Sequence, residues 1–377
     1  MSQSKYLIAV FLVLSLFVGC AQPTTKRVKV DDALYELEAK KQREIALESQ
    51  IKRQKRLMRV AYPLQVAAAP FSEEDIRPSI GIVYVNKYSF SSDFYDTAVR
   101  IYQMGEALQI GQVMEGSPAD QAGLKSGDIL VKFENESVPT GAHADKKFFE
   151  TMMTKLEAGN PVTISVMRDN ILKKVEVVPE NICAYPAVVA GGDAVNAYAD
   201  GEKVVIFKGM MRFAREDQEL ALVVAHELAH NIMHHIEAKT RNYLLGTLID
   251  ILAAAYGINT QGTFGRAGAT AYSQAFEAEA DYVGLYIMAR SNLKIDNAAN
   301  FWRRMGAEHP GSISKNHTST HPATPERFVA IEKTVEEIES KQKAGAPLEP
   351  EYQKKKKEIE KPSVAGDKAG TKIEKSD

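Results

Sequence analysis

Hydrophobic and polar positions alternate with different periods along the chain. Residues Tyr6 to Val18 form an unbroken apolar run behind Lys5, too short for a comfortable membrane span and of the length of a signal-peptide core. From Asp31 to about Ala69, Leu34, Leu37, Ile45, Ile51, Leu57, Val60 and Leu64 make a sparse apolar stripe among Glu, Lys, Gln and Ala, which predicts a helix interrupted at Pro63. The stripe is irregular, so a helix packed on a folded core is expected rather than a free coiled coil. Between Ile76 and about Asn181 the pattern changes to short β-rich runs: Ile80–Val85, Leu108–Met114, Ile129–Glu134, Val162–Arg168 and Leu172–Val178. Hairpin turns at Asn135-Glu136 and Asp169-Asn170 divide them, and one helix, Lys146–Leu156, intervenes.

Helical periodicity returns later in the chain. Strands are expected at Pro186–Val189 and Val204–Phe207, and helices at Gln218–Ile236 and Glu277–Arg290. The stretch Tyr243–Ile258 is apolar but interrupted by Gly246 and Asp250, so it predicts a buried or groove-lining helix rather than a membrane span. The Gly- and Thr-rich stretch Asn259–Gly268 reads as a lid or a connector. Phe301, Trp302 and Met305 at helical spacing read as core. From Ile338 onward Lys, Glu, Gly and Pro dominate without periodicity, which predicts a solvated, disordered tail.

These patterns divide the chain into a signal peptide (1–19), a tether (20–30), an N-terminal helical part of a catalytic domain (31–75), an inserted β-rich module (76–181), the main catalytic part (182–340) and a tail (341–377). A chain of 377 residues, 45% of them hydrophobic, can bury such cores. The formal charge of −2 gives no electrostatic case for a nucleic-acid partner.

The chemistry concentrates in His226-Glu227-Leu228-Ala229-His230. Two His four apart lie one above the other on a helix and can present both imidazoles to one ion. Glu227 stands beside the first of them, where a carboxylate can take a proton from water activated by that ion. This is the zinc-peptidase pattern H-E-x-x-H. Zinc needs a third protein ligand, and Glu277 supplies it from a second helix. Asp281, one turn on, can accept the outer N–H of a ligating His. Glu279 is expected to point elsewhere into solvent, and His235 to have a structural role.

The sequence H-E-L-A-H followed by Glu277-Ala278-Glu279-Ala280-Asp281, with Asn196-Ala197-Tyr198-Ala199 before and Ser319-Thr320-His321-Pro322 after, resembles the gluzincin family that includes HtpX-like and CAAX prenyl proteases. The resemblance runs from about Ala184 to about Ile338. It implies an α+β protein: a mainly helical metallopeptidase domain with a small edge sheet, one zinc per chain held by His226, His230 and Glu277, and Glu227 as base. It also implies that Asn196, Ala197 and Tyr198 hold substrate as an added strand; His321 is a candidate donor to the oxyanion or an occupant of zinc's open position in a resting state.

The stretch Gly116-Ser117-Pro118-Ala119-Asp120-Gln121-Ala122-Gly123-Leu124-Lys125-Ser126-Gly127-Asp128-Ile129-Leu130 resembles the signature of a bacterial PDZ domain, a β-sandwich or barrel-like module. Ser79-Ile80-Gly81-Ile82 would then be the carboxylate loop, and a bound C-terminal tail would lie along Ile82–Val85 against the helix carrying Phe148, Phe149 and Met152. Leu16-Phe17-Val18-Gly19-Cys20 resembles a bacterial lipobox, which implies lipidation at Cys20 and a lipid anchor, with Ala21 matching outer-membrane sorting toward the periplasm. Only Cys183 would then remain as a thiol, expected buried. Protein quality control in the envelope, acting on protein substrates, is the function these resemblances imply. The competing class is a non-catalytic assembly factor that binds C-termini.

Overall fold

A computed structural model describes residues 23–72, 75–256, 258–270, 273–308 and 324–352. Cys20, His309, His317, His321 and the tail from 353 lie outside the described residues.

The architecture is α+β. Helix α1 (Asp32–Ala68) opens it, with the Asp31 carboxylate accepting from the Ala33 and Leu34 amides as its N-cap. The helix runs through Pro63 rather than stopping there. A helix can bridge one missing N–H when its flanks are held, and Leu57, Val60, Ala61 and Leu64 around it are buried in the main core. The first half of α1 is largely exposed at Leu34, Leu37 and Ile45.

Strand β1 (Ile76–Ser79) leads into the β-rich module: β2 (Ile82–Val85), α2 (Tyr95–Tyr102), β3 (Gln109–Val113), α3 (Pro118–Gln121), β4 (Ile129–Phe133), β5 (Glu136–Ser137), α4 (Ala144–Lys155), β6 (Val162–Arg168) and β7 (Ile171–Val177). Its antiparallel sheet has the order β2-β3-β4-β6-β7, which leaves one edge of β2 unpaired. Leu108, Ile110, Phe133, Phe148, Ile164 and Val166 fill the core. Sequence patterning predicts one helix in this module, and the structure has three. Helix α2 escapes it because it buries Ala98 in a small cluster with Met104 and Leu47 of α1, a partner far away in sequence.

The chain leaves the module through β8 (Glu180–Cys183), which pairs antiparallel with β1, Ile76 opposite Cys183 and Ser79 opposite Glu180. The two ends of the module are therefore adjacent. Tyr62 of α1 donates to Glu180 (2.7 Å) and Gln65 to the Tyr185 carbonyl (2.8 Å), which fastens this junction to the helix. Cys183 is fully buried, and burial pushes its thiol pKa up.

The second unit begins with β9 (Ala187–Ala190), β10 (Ala197–Ala199) and β11 (Val204–Phe207), ordered β10-β11-β9, with β10 antiparallel to β11 and open on its outer edge. Helices come next: α5 (Lys208–Phe213), α6 (Asp217–Ile232), α7 (His235–Ala255), α8 (Thr263–Thr270), α9 (Ser273–Arg290), α10 (Ala298–Glu308) and α11 (Pro325–Ala344). One apolar core joins the C-terminal half of α1 with α6, α9, α10 and α11. Arg56 reaches Asp217 (2.8 Å) and the carbonyls of Met211 and Ala214 (both 2.7 Å), and Arg59 also holds Asp217 (2.7 Å).

The structure departs from the sequence pattern in three places. Residues 259–268 are not simply a connector, since α8 occupies most of them. Tyr243–Ile258 is not buried: of α7 only His235, Gly246 and Asp250 are. The tail does not begin at 341, because α11 continues to Ala344, Gly345 caps it at φ 64°, and Leu348 packs against the core while its carbonyl takes Arg290 (3.3 Å).

Candidate metal centre

Helix α6 brings the centre together because its apolar periodicity buries it on nearly every side. Leu220 through Ile232 are all buried, so His226, Glu227 and His230 sit inside the protein at 2% exposure or less. Helix α9 supplies the other wall and approaches closely at Gly284, where a Cβ would come within 3.1 Å of the His226 amide nitrogen and 3.2 Å of the Ala225 carbonyl oxygen. That approach places Glu277, also buried, against both imidazoles.

The ligand atoms face one another. His226 Nε2 and His230 Nε2 are 3.2 Å apart, and each lies 3.4 Å from a Glu277 carboxylate oxygen. A tetrahedral ion with bonds of about 2.0–2.2 Å needs ligand atoms roughly 3.3–3.5 Å from each other. The residues therefore fit zinc in number, type and spacing, and no other group of His, Cys, Asp and Glu among the described residues does so.

Each imidazole is held from behind. His226 Nδ1 lies 2.9 Å from Asp281 Oδ1, and Asp281 in turn receives a two-pronged bond from the buried Arg327, Nε to Oδ2 at 2.6 Å and Nη2 to Oδ1 at 2.9 Å. The guanidinium stacks over Trp302, 4.6 Å from the ring centre, and its Nη1 stands 3.8 Å from Glu277. His230 Nδ1 lies 2.8 Å from His235 Nδ1, whose Nε2 is 3.0 Å from Glu279 Oε2. Phe276 stacks on the His235 ring. With His230 ligating through Nε2, its Nδ1–H donates to His235, and His235 Nε2–H donates to Glu279. Glu279 is exposed, as its place in the sequence predicts, but it also holds the buried His235 ring, a contact the sequence reading did not foresee. Its carboxylate ends a relay that starts at a ligand.

Without an ion these surroundings pull the two His apart. Burial drives His226 down, but the adjoining Asp281 and Glu277 outweigh it and raise its pKa to about 9. Burial lowers His230 to about 4, with a protonated His226 adding repulsion. The carboxylates thus concentrate the site's proton on His226, where an arriving cation must replace it.

The remaining sequence candidates are spread over two places. Ala197 and Tyr198 lie on β10 and Asn196 directly precedes it, with Ala197 buried and the Tyr198 side chain exposed. Asn231, next to His230, ties this hairpin to α6: its Oδ1 accepts from the Gly201 amide (2.9 Å) and its Nδ2 donates to the Lys203 carbonyl (3.1 Å). Ser79, Ile80, Gly81 and Ile82 lie at the far module, around a groove of about 270 Å³. Gly81 has φ +76°, and a Cβ there would come within 2.2 Å of Ser117 Cβ. Phe149 and Met152 line the groove, whereas Phe148 turns into the core and meets Tyr84 and Phe133 edge-on. Met58 and Tyr62 of α1 also line the groove.

Residues 166–335 match the family model for peptidase family M48. The match takes in both helices that carry the metal-centre residues. Residues 78–178 match the PDZ domain model. The chain is 32% identical to the mitochondrial metalloendopeptidase OMA1 of Saccharomyces cerevisiae, over 35% of this chain and 41% of that one. It is 26% identical to the β-barrel assembly-enhancing protease of Yersinia pestis, over 37% and 32%. The chain thus matches less than half the length of these curated relatives. Among solved structures, the HtrA3 PDZ domain bound to a phage-derived ligand aligns with 28% of this chain and 88% of its own, at 20% identity and a TM-score of 0.21. Around the metal centre, Arg327, Trp302, Asn231 and the His235–Glu279 relay are the residues sequence reasoning missed. Only Arg327 had a local signal, three residues after the N-cap Thr324.

Proposed function

We propose that this chain is a zinc-dependent metalloendopeptidase of the bacterial cell envelope that cleaves misfolded or misassembled proteins, with its PDZ module taking exposed C-termini. The observation that carries the reading is the buried His226–His230–Glu277 cluster with Glu227 on the same helix, since a purely structural zinc site needs no base beside it. When bound, the ion supplies a Lewis acid that activates water and polarises the scissile carbonyl. His226, His230 and Glu277 hold it, Asp281 and His235 fix the ring orientations, and Arg327 keeps Asp281 in place. Glu227 takes the proton from the attacking water and returns it to the leaving amine. The open edge of β10 pairs with the substrate backbone and positions the scissile bond. His321 is the candidate for stabilising the oxyanion.

Residues 1–19 act as a lipoprotein signal peptide, Cys20 carries the lipid, and the protein faces the periplasm from the outer membrane. Segments 31–75 and 182–340 form one catalytic unit of the HtpX-like and CAAX protease type, with 76–181 inserted. The adjacent module ends at β1 and β8 support this division.

Glu227→Gln should retain about one zinc per chain and lose casein cleavage by at least about a hundredfold, as expected for a general base. Equal activity in Glu227→Gln and wild type would leave the alternative, a C-terminus-binding assembly factor with a structural zinc.

A further inference from the structure

Helices α7 and α8 form an antiparallel hairpin that spans the sequence between the two ligand helices. Close packing of small residues holds it together. A Cβ on Gly246 would come within 2.0 Å of the Phe264 carbonyl oxygen, and one on Gly268 within 2.1 Å of the Asn242 carbonyl oxygen. The other side of α7 has no cover among the described residues: Leu244, Leu245, Leu248, Ile251 and Leu252 are each more than half exposed. At 100° per residue these positions span roughly 120° of the helix, far broader than the few scattered apolar side chains of an ordinary surface.

The charges are arranged for an apolar medium. Asp250 is the only Asp, Glu, Lys or Arg from Tyr243 to Phe264. It is turned inward, where its carboxylate accepts from the Thr260 hydroxyl and from the amides of Phe264 (3.2 Å) and Gly265 (2.7 Å) at the start of α8. A face built for a protein partner carries a polar, charged rim, and this one has none along its length. Basic residues appear toward the root, Lys239 and Arg241 on α7 before Tyr243, and Arg266 on α8 after Phe264. From Tyr243 to Tyr256 the helix extends about 20 Å, short of the roughly 30 Å of a bilayer core. No described helix is long and apolar enough to cross a membrane.

We infer that the α7–α8 hairpin seats in one leaflet of a lipid membrane, with the leucine face among the acyl chains and Lys239 and Arg241 at the headgroups. The inference deepens the proposed envelope function and rests on it. It sets the metal centre near the lipid, since α7 begins at His235 beside His230 and only about 12 Å of helix separates His235 from Tyr243. Substrates would then be chains held at or emerging from the membrane surface.

The test uses the full chain carrying Cys20→Ser, so that an acyl anchor cannot report in place of the hairpin. Trp302 is the only native tryptophan and is buried, so Leu248→Trp adds a readable probe. With vesicles of phosphatidylethanolamine and phosphatidylglycerol, its emission should shift to the blue and be quenched by brominated acyl chains. In the same background, Leu244→Ser with Leu245→Ser and Leu252→Ser should lower vesicle partitioning at least about tenfold while zinc content and peptide cleavage stay unchanged. Emission that stays water-like with vesicles overturns the inference. So does a blue shift that appears without vesicles and grows with protein concentration, which would mean that a second copy closes the face. Zinc content and the Glu227→Gln comparison are read separately, so failure of the peptidase reading is not mistaken for failure of the membrane contact.

Discussion

A histidine ligand is only as good as the group behind it, and the two imidazoles here are supported differently. His226 leans on a carboxylate that Arg327 anchors by two bonds inside the core, while His230 leans on another imidazole whose own carboxylate, Glu279, is 44% exposed. Asp281→Ala should therefore weaken zinc affinity roughly 10- to 100-fold, and Glu279→Ala by clearly less, in competition with a chelator. An equal loss in both would mean that the relay through His235 matters as much as the Asp281–Arg327 pair. The opposed titrations of the two His add a second expectation for the metal-free protein. A His226 raised to about 9 contributes stability that is full below its ordinary 6.5 and lost as pH climbs through 9. His230, depressed to about 4, opposes folding once its unfolded form protonates, so stability also falls from 6.5 toward 4. Melting temperatures of the metal-free chain should thus peak near pH 6.5. The alkaline decline should vanish in zinc-loaded protein, where His226 is neutral on both sides of that range.

Secondary elements position these residues through one close approach, α9 against α6 at Gly284. A larger side chain there meets backbone on α6, not a flexible side chain that could swing away, so the helices must separate. Gly284→Val should lower the melting temperature and also weaken zinc binding, whereas Ala278→Val, at a position the metal centre does not use, should spare the metal. Retained zinc affinity in Gly284→Val would show that Glu277 reaches the imidazoles without the tight helix contact. At this scale, legibility in the sequence depends on the range of the interactions. The spacing of His226, His230, Glu277 and Asp281 is local to two helices, and 3.6-residue periodicity is enough to bring those side chains to shared faces. Helix α2 depends on Leu47, about fifty residues away, Arg327 on Asp281 forty-six residues away, and the exposure of α7 on the lack of a covering element among the described residues. None of these leaves a mark in a local pattern. An apolar helix reads the same whether protein or something else lies against it.

The whole molecule depends on α1, the element that bridges the PDZ module and the peptidase core. Its middle meets α2 of the PDZ module through Leu47 and the Arg100–Glu44 ion pair (2.7 Å). Its last turns fill the peptidase core, and Tyr62 lies between the two, beside Gly81 and the β1–β8 junction. Because Ile76 and Cys183 are paired partners, replacing Ile76–Asn181 with a short Gly/Ser bridge asks the chain to span only about 5 Å, and such a chain should fold and bind zinc. A chain beginning at Ile182 should fare otherwise. It lacks Leu57, Val60, Ala61 and Leu64, whose burial is worth on the order of 1.5–3 kcal/mol for each of the larger side chains, and it strands Asp217 without Arg56 and Arg59. Against a total stability of about 5–15 kcal/mol for an ordinary domain, that loss is enough to unfold it. The Ile182 chain should be insoluble or melt far below the bridged one. If instead it melts at the same temperature and cleaves casein as well, α1 is a tether and the catalytic unit starts after the PDZ module.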